Sequence, residues 1–199
     1  MDLGISDRVA PLLAEVKDFI DNEVLPIEQE FFQEIDVGDR WSFTERQTEI
    51  MTGIKEKSRA RGLWNFFLTD GESGSGLNTI EYAYLAEEMG KSHLAAEAFN
   101  CSAPDTGNME VLHKYGTEAQ KKQWLEPLLA GEIRSAYAMT EPDVASSDAK
   151  NLECRAVLDG EEWLINGEKY YISGAGDPRC KIMICMLMTS PDASPHRRH

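Results

Sequence analysis

Val9, Leu12, Leu13, Val16, Phe19, Ile20 and Val24 recur at spacings of three and four residues. This periodicity predicts a helix with one apolar stripe, opened by Ser6 as N-cap and kinked or interrupted at Pro26. A second helix is predicted from Thr44 as N-cap through Ile50, Ile54 and Ser58 to a stop at Gly62. Leu63, Trp64, Phe66, Phe67 and Leu68 follow as a compact apolar segment, and DGESGSGL reads as a glycine-rich loop. A third helix starts behind Asn78 and carries Ile80, Tyr82, Ala83, Leu85, Ala86 and Met89 to Gly90. Further helices are predicted over Ala95 to Cys101, Asp105 to Tyr115, and Glu118 to Leu129, the last opening behind Thr117 and closing at Gly131.

Past Gly131 the period shortens. RSAYAM, NLECRAVLDG, EEWLINGEKYYIS and KIMICMLM are β-branched or aromatic runs, punctuated at Asp159-Gly160 and Asn166-Gly167. The DG pair predicts a hairpin between LECRAVL and EEWLING. The expected class is therefore α+β: an all-helical domain over 1–131, then an incomplete antiparallel, β-barrel-like middle domain over 132–199. The short β part is expected to leave at least one strand edge without a partner.

Composition narrows the function. A chain of 199 residues with 42% hydrophobic content can build a real core. The formal charge of -15 argues against nucleic acid or an anionic membrane as the main partner, though a local basic patch could hold a phosphorylated ligand. No apolar run reaches the ~18 residues of a membrane span, and the acid-bearing MDLGISDRVAPLLAEV does not read as a cleavable leader. Cys101, Cys154, Cys180 and Cys185 fit neither a redox pair nor a zinc knuckle and read as buried thiols in a reducing compartment.

Most candidate chemistry dissolves on inspection. GESGSG lacks the Lys-Ser/Thr ending of a phosphate loop, follows no strand, and carries Glu72, which would repel a phosphate; a helix connection is the better reading. His93 and His113 read as core or surface histidines rather than metal ligands, and there is no HExxH. Ser146 and Ser147 lie outside G-x-S-x-G, with no histidine nearby in sequence. Two readings of YAMTEPDVASSD stay open. Its serines and acids can be plain turn formers. Alternatively Thr140, Ser146 and Ser147 present hydroxyls and backbone N–H groups to a ligand, with Pro142 shaping the turn and Ala145 allowing close approach. KYYISGAG adds aromatic faces at Tyr170 and Tyr171, a hydroxyl at Ser173, and open backbone at Gly174 and Gly176. The two segments together point to a planar cofactor bearing a diphosphate.

The pair YAMTEPDVASSD and INGEKYYISGAG resembles the two flavin-binding segments of the acyl-CoA dehydrogenase family. Their usual forms are a Thr-Glu-Pro turn ending in Gly-Ser-Asp and an Asn-Gly-x-Lys-x-Trp-Ile-Thr strand. HKYGTEAQKKQWLEPLLAGE resembles the end of that family's helical domain, so the likeness runs from about residue 6 to 188. TEPDVASSDA and SGAG are most similar to the branch acting on long or branched acyl-CoA thioesters. That branch often carries a kinase-like domain upstream, which is not expected in this chain.

The resemblance implies FAD as cofactor. It places Tyr137, Ala138, Met139 and Thr140 along the flavin ring and Ser146 at the diphosphate, with Ser146 also counted as a substrate contact. Ser147 stands where the family more often has Asp. Tyr171 replaces a ring-covering Trp, Ile172 follows it, and Ser173 replaces a Thr that hydrogen-bonds the flavin N5. The implied reaction is α,β-dehydrogenation of an acyl-CoA thioester in fatty acid β-oxidation: a carboxylate takes the α-proton while the β-hydride moves to the flavin. Electrons would pass to an electron-transfer flavoprotein, or to oxygen in oxidase relatives.

The family's catalytic glutamate lies in a C-terminal four-helix domain, and this sequence stops within the middle domain, so no catalytic residue is assigned. Glu141 reads as a structural acid. The truncated chain alone is expected to lack dehydrogenase turnover and to bind FAD weakly or not at all. Full-length members would be homo-oligomeric, mitochondrial by family or cytoplasmic if bacterial. The alternatives are a non-catalytic partner or modulator of full-length subunits, or a helical scaffold whose turn motifs are relics.

Overall fold

The computed structural model describes residues 4–69 and 74–199. Met1 to Leu3, and Asp70 to Ser73 of the glycine-rich loop, lie outside the described residues. The chain divides into two compact units, Met1–Thr117 and Glu118–His199.

The first unit is helical: α1 (Ala10–Phe19), α2 (Leu25–Gln33), α3 (Glu45–Ala60), α4 (Thr79–Met89), α5 (Ala95–Ala98) and α6 (Asp105–Tyr115). The predicted stripe is its spine, with Val9, Val16, Phe19, Ile20 and Val24 fully buried. Phe99 joins it to the apolar segment after α3, its ring 5.2 Å from Phe19 and 5.6 Å from Phe66. Burying such side chains contributes ~1.5–3 kcal/mol each. The interruption at Pro26 takes a specific form. Residues Ile20–Val24 make a π turn, and the Leu25 N–H donates to Ile20 O. The widened turn absorbs the missing proline N–H and the clash of its ring with the preceding turn.

Local chemistry sets the helix ends. Thr44 and Gln47 form a capping box on α3, and Asn78 and Glu81 form another on α4. Ser6 accepts the Val9 N–H through Oγ at 3.3 Å one turn ahead of α1. At the end of α3, Gly62 takes φ +71°, and the Leu63 N–H reaches back to Ser58 O at 2.8 Å. Asn100 does the same after α5 with φ +55°, and the Cys101 N–H donates to Ala96 O at 2.7 Å. That left-handed residue ends α5 at Ala98, short of the predicted Cys101.

The second unit opens with α7 (Glu118–Gln120), a π turn at Lys121–Leu125 and α8 (Glu126–Leu129). The π turn again precedes a proline, Pro127, and the Glu126 N–H donates to Lys121 O. Four strands follow: β1 (Arg134–Ala138), β2 (Arg155–Asp159), β3 (Glu162–Asn166) and β4 (Cys180–Cys185). β2 and β3 form the predicted hairpin, antiparallel from Arg155↔Asn166 to Asp159↔Glu162, with Gly160 at φ +65° in the turn. β1 and β4 instead pair in parallel, with Ser135↔Ile182 and Ala138↔Cys185. The long segment between them permits a crossover, so this pair departs from the antiparallel expectation. The two sheets are not closed into a barrel.

Two further expectations are corrected. The run EEWLINGEKYYIS is a strand only to Asn166, because Gly167 adopts φ +144° and Tyr171 φ +50°, which break the pleat. Cys101 and Cys154 are buried, but Cys180 is half-buried and Cys185 exposed. Alternation along β4 turns Cys185 to the outer face.

Candidate functional site

β1 delivers the first segment. Ala136 and Ala138 are buried, and Tyr137 between them is half-buried, with burial pushing its phenol pKa up. Met139 and Thr140, both half-buried, carry the chain out of the strand into a turn closed on itself. Ser146 Oγ accepts the Glu141 N–H at 2.6 Å, and the Ser146 N–H donates to Val144 O at 2.8 Å. Asn151 Nδ2 donates to Ala145 O at 3.0 Å, and Asp148 caps the short turn Ala149–Asn151 through the Lys150 N–H. Ser146 is buried by these bonds, while Ser147 beside it is exposed.

The second segment meets the first edge to edge. The Tyr170 N–H donates to Thr140 O at 3.1 Å, and the Thr140 hydroxyl donates back to Tyr170 O. The sequence-predicted Tyr171 is 88% exposed, its ring centroid 4.6 Å from that of Tyr170. Ile172 is half-buried, and Ser173 is exposed at the start of the turn before β4. Thr140 is thereby joined to Tyr170, with Tyr171 and Ser173 exposed just beyond it in the chain, whereas Ser146 is held within its own turn.

An ion pair joins the segments. Lys169 Nζ donates to Glu141 Oε1 at 2.7 Å and to Met139 O at 2.9 Å. Glu141 also accepts the Cys154 N–H at 3.0 Å and the Glu153 N–H at 2.7 Å. Burial pushes the Glu141 carboxyl pKa up, but Lys169 and the two amides outweigh it and leave the group below its ordinary value. Three of the roughly four acceptor sites of this carboxylate are thus engaged within the protein, in keeping with its reading as a structural acid. Residue-by-residue reading left Lys169 unassigned, although the Asn-Gly-x-Lys form of the second segment contains it and its charge is opposite to that of Glu141 in the first.

Beside the turn lies a cavity of about 710 Å³ lined by Val144, Ala145, Lys150, Arg155, Met188 and Arg198, among others. Three cations, against the one carboxylate of Glu153, line it in a chain of net charge -15. Their dispersal over the sequence concealed them. Among the described residues there is no group of His, Cys, Asp and Glu that could hold a metal. Nor is any helix there long and apolar enough to cross a membrane.

Comparison with known proteins agrees with this architecture. The acyl-CoA dehydrogenase N-terminal domain matches residues 7–132, and the middle domain of the same family matches 136–199. Acyl-CoA dehydrogenase family member 11 of Mus musculus is 48% identical over 98% of the chain, which spans 25% of that protein. The protein named "Probable acyl-CoA dehydrogenase FadE2" of Mycobacterium tuberculosis is 47% identical over the whole chain, which spans 48% of it. A solved Mycobacterium abscessus protein assigned to the acyl-CoA dehydrogenases superposes with a TM-score of 0.89 at 51% identity, covering 98% of this chain and 49% of its own. The chain thus spans about half or less of the length of the relatives it matches, and it belongs to the acyl-CoA dehydrogenase family.

Proposed function

We propose that this chain carries the flavin wall and part of the thioester site of an FAD-dependent acyl-CoA dehydrogenase. The carrying observation is that YAMTEPDVASSD and KYYISGAG, distant in sequence, are hydrogen-bonded edge to edge through Thr140 and Tyr170. The division near residue 132, helical before and flavin-binding after, is part of this reading; it is supported by the break between the two matched stretches.

The residues present suit the cofactor. Tyr171 offers an exposed aromatic face, and Ser173 an exposed hydroxyl one turn away. Tyr137, Ala138, Met139 and Thr140 would line the ring, Ile172 would pack against it, and Ser173 would donate to its polar edge. Ser147, exposed in the turn, would contact the diphosphate. Ser146 would hold the turn, and its hydroxyl, weakly engaged with Glu141 O at 3.5 Å, would have to leave that buried position to contact diphosphate or substrate. When bound, FAD supplies a two-electron acceptor for the β-hydride of the thioester. The chain's own contribution is to orient the acceptor and exclude water from it.

Lys150, Arg155 and Arg198 around the cavity suit the phosphates of a CoA thioester. In the whole protein a carboxylate outside this chain would take the α-proton, and an electron-transfer flavoprotein would accept the electrons. Assembly as a homo-oligomer, and a mitochondrial compartment in a eukaryote or the cytoplasm in a bacterium, complete the proposal.

A second reading, a non-catalytic partner of full-length subunits, is favoured by the hairpin. Val157, Leu158, Trp163, Leu164 and Ile165 are each at least half exposed there.

Titration of the purified chain with FAD tests the proposal. Weak binding is expected of this chain alone, so a perturbed visible spectrum with altered fluorescence at any affinity supports it, and a flavin unchanged at the highest protein and FAD concentrations leaves only the partner or relic readings. A long-chain acyl-CoA assay with an artificial acceptor then asks whether the chain alone turns over; none is expected. Mixing with a full-length subunit and measuring mass tests the second reading.

A further inference from the structure

We propose that Lys169 and Glu141 are a positioning pair that sets the spacing of the two segments, and through them the placement of Thr140 and Tyr171; its consequence for flavin rests on the reading above. Their side chains are only 12% and 6% exposed. Glu141 accepts from Lys169 and from the amides of Glu153 and Cys154, and Lys169 also donates to Met139 O. The pair therefore ties three stretches of chain together: the exit of β1, the entry to β2, and the approach to Tyr170 and Tyr171. Stability alone does not call for a charged pair, since apolar side chains of similar volume pack as well or better in such places. What an ion pair adds is direction. Each of its bonds has a preferred distance and angle, so the three stretches cannot slide past one another without leaving a buried charge short of partners.

The next residue along each segment carries the consequence. Thr140 precedes Glu141 and Tyr170 follows Lys169, and these two exchange the hydrogen bonds that align the walls. Neither member of the pair needs to touch the cofactor. Loosening it displaces Thr140 on one side and Tyr171 on the other.

The experiment uses the 199-residue chain with Lys169→Met, Glu141→Gln, the double variant and Lys169→Arg. Amide hydrogen exchange is followed by mass spectrometry over 139–146 and 167–173, with 45–60 in the helical unit as internal control. FAD titration is run in parallel. Each single variant is expected to speed exchange in both segments about tenfold, with the double variant no worse than the weaker single. The control stays unchanged, and Lys169→Arg retains most of the protection. FAD affinity falls by a similar factor and the bound-flavin band shifts in the same variants. Additive effects of the two single variants, or loosening of only the mutated segment, overturns the proposal. So does unaltered flavin binding and band shape in Lys169→Met. If the unsubstituted chain leaves FAD unperturbed, the cofactor reading fails, and the exchange data still decide whether the pair holds the segments together.

Discussion

The hydroxyl of Ser146 accepts the Glu141 N–H at 2.6 Å within a turn that buries both residues. A serine that resemblance assigns to diphosphate and substrate is therefore first a backbone partner. Ser146→Ala leaves a buried N–H without its acceptor, at a cost of ~1–3 kcal/mol with no ligand present. Ser147→Ala, at an exposed position, is expected to leave stability within ~0.5 kcal/mol while weakening FAD. Urea unfolding of both variants without cofactor, followed by FAD titration, separates the roles; equal stability of the two would refute the assignment to Ser146.

Gly167 is irreplaceable for a steric reason as well as a conformational one. Its φ is +144°, and a Cβ there would lie 2.6 Å from Cys154 Sγ and 2.8 Å from Cys154 Cα. Gly167→Ala is expected to destabilise the second unit by ~2–4 kcal/mol. Gly160→Ala, with φ +65° but open space around it, should cost only ~1 kcal/mol. Thermal melts of the pair check the ranking.

The helical unit carries an acid-sensitive tie. Glu81 is held down to about 2 by the Arg8 guanidinium, the Asn78 N–H and the Ser6 hydroxyl, against an ordinary value of 4.5. A carboxyl with a lowered folded-state pKa stabilises fully above its unfolded value, so this contribution is complete above about pH 4.5. It fades as pH falls toward 2. Glu81→Gln should remove that part of the slope, seen as a flatter dependence of the denaturation midpoint on pH between 4.5 and 2. An unchanged slope would contradict the tie.

Arg155 and Arg198 make separable contributions to the basic cavity. Arg155 is exposed, while Arg198 is half-buried with its Nε on Ala193 O at 3.2 Å. Arg155→Ala is expected to weaken CoA binding by roughly 1 kcal/mol, about fivefold, and to reduce its dependence on salt. Arg198→Ala should additionally lower stability, because Arg198 is packed and bonded at the closing turn. Calorimetric titration with CoA at two salt concentrations reads the first effect, and unfolding reads the second. CoA affinity indifferent to both changes would remove this cavity from the proposal.

Much of the helical half is legible in the chain because its determinants are local. The stripe from Val9 to Val24, the capping residues Thr44 and Asn78, and the stop at Gly62 each act within one or two turns. The hairpin is equally local, since Asp159-Gly160 sets both its turn and its register. The parallel pairing of β1 with β4 was not legible. Strand composition does not encode direction, and both candidates present the same apolar alternation. At the site, motif resemblance locates the two segments but leaves Lys169 unassigned and credits Ser146 with ligand contacts before its bond to Glu141 is visible.

The amino-acid sequence by itself determined the helical unit, the hairpin and the family, because periodicity, capping and two motif segments are properties of neighbouring residues. Only the tertiary structure decided what those motifs do to one another. It set Lys169 against Glu141, turned Ser146 inward and Tyr171 outward, and gathered Lys150, Arg155 and Arg198 on one cavity. Those outcomes depend on long-range contacts, whose partners are chosen by burial and hydrogen-bond satisfaction across the whole unit.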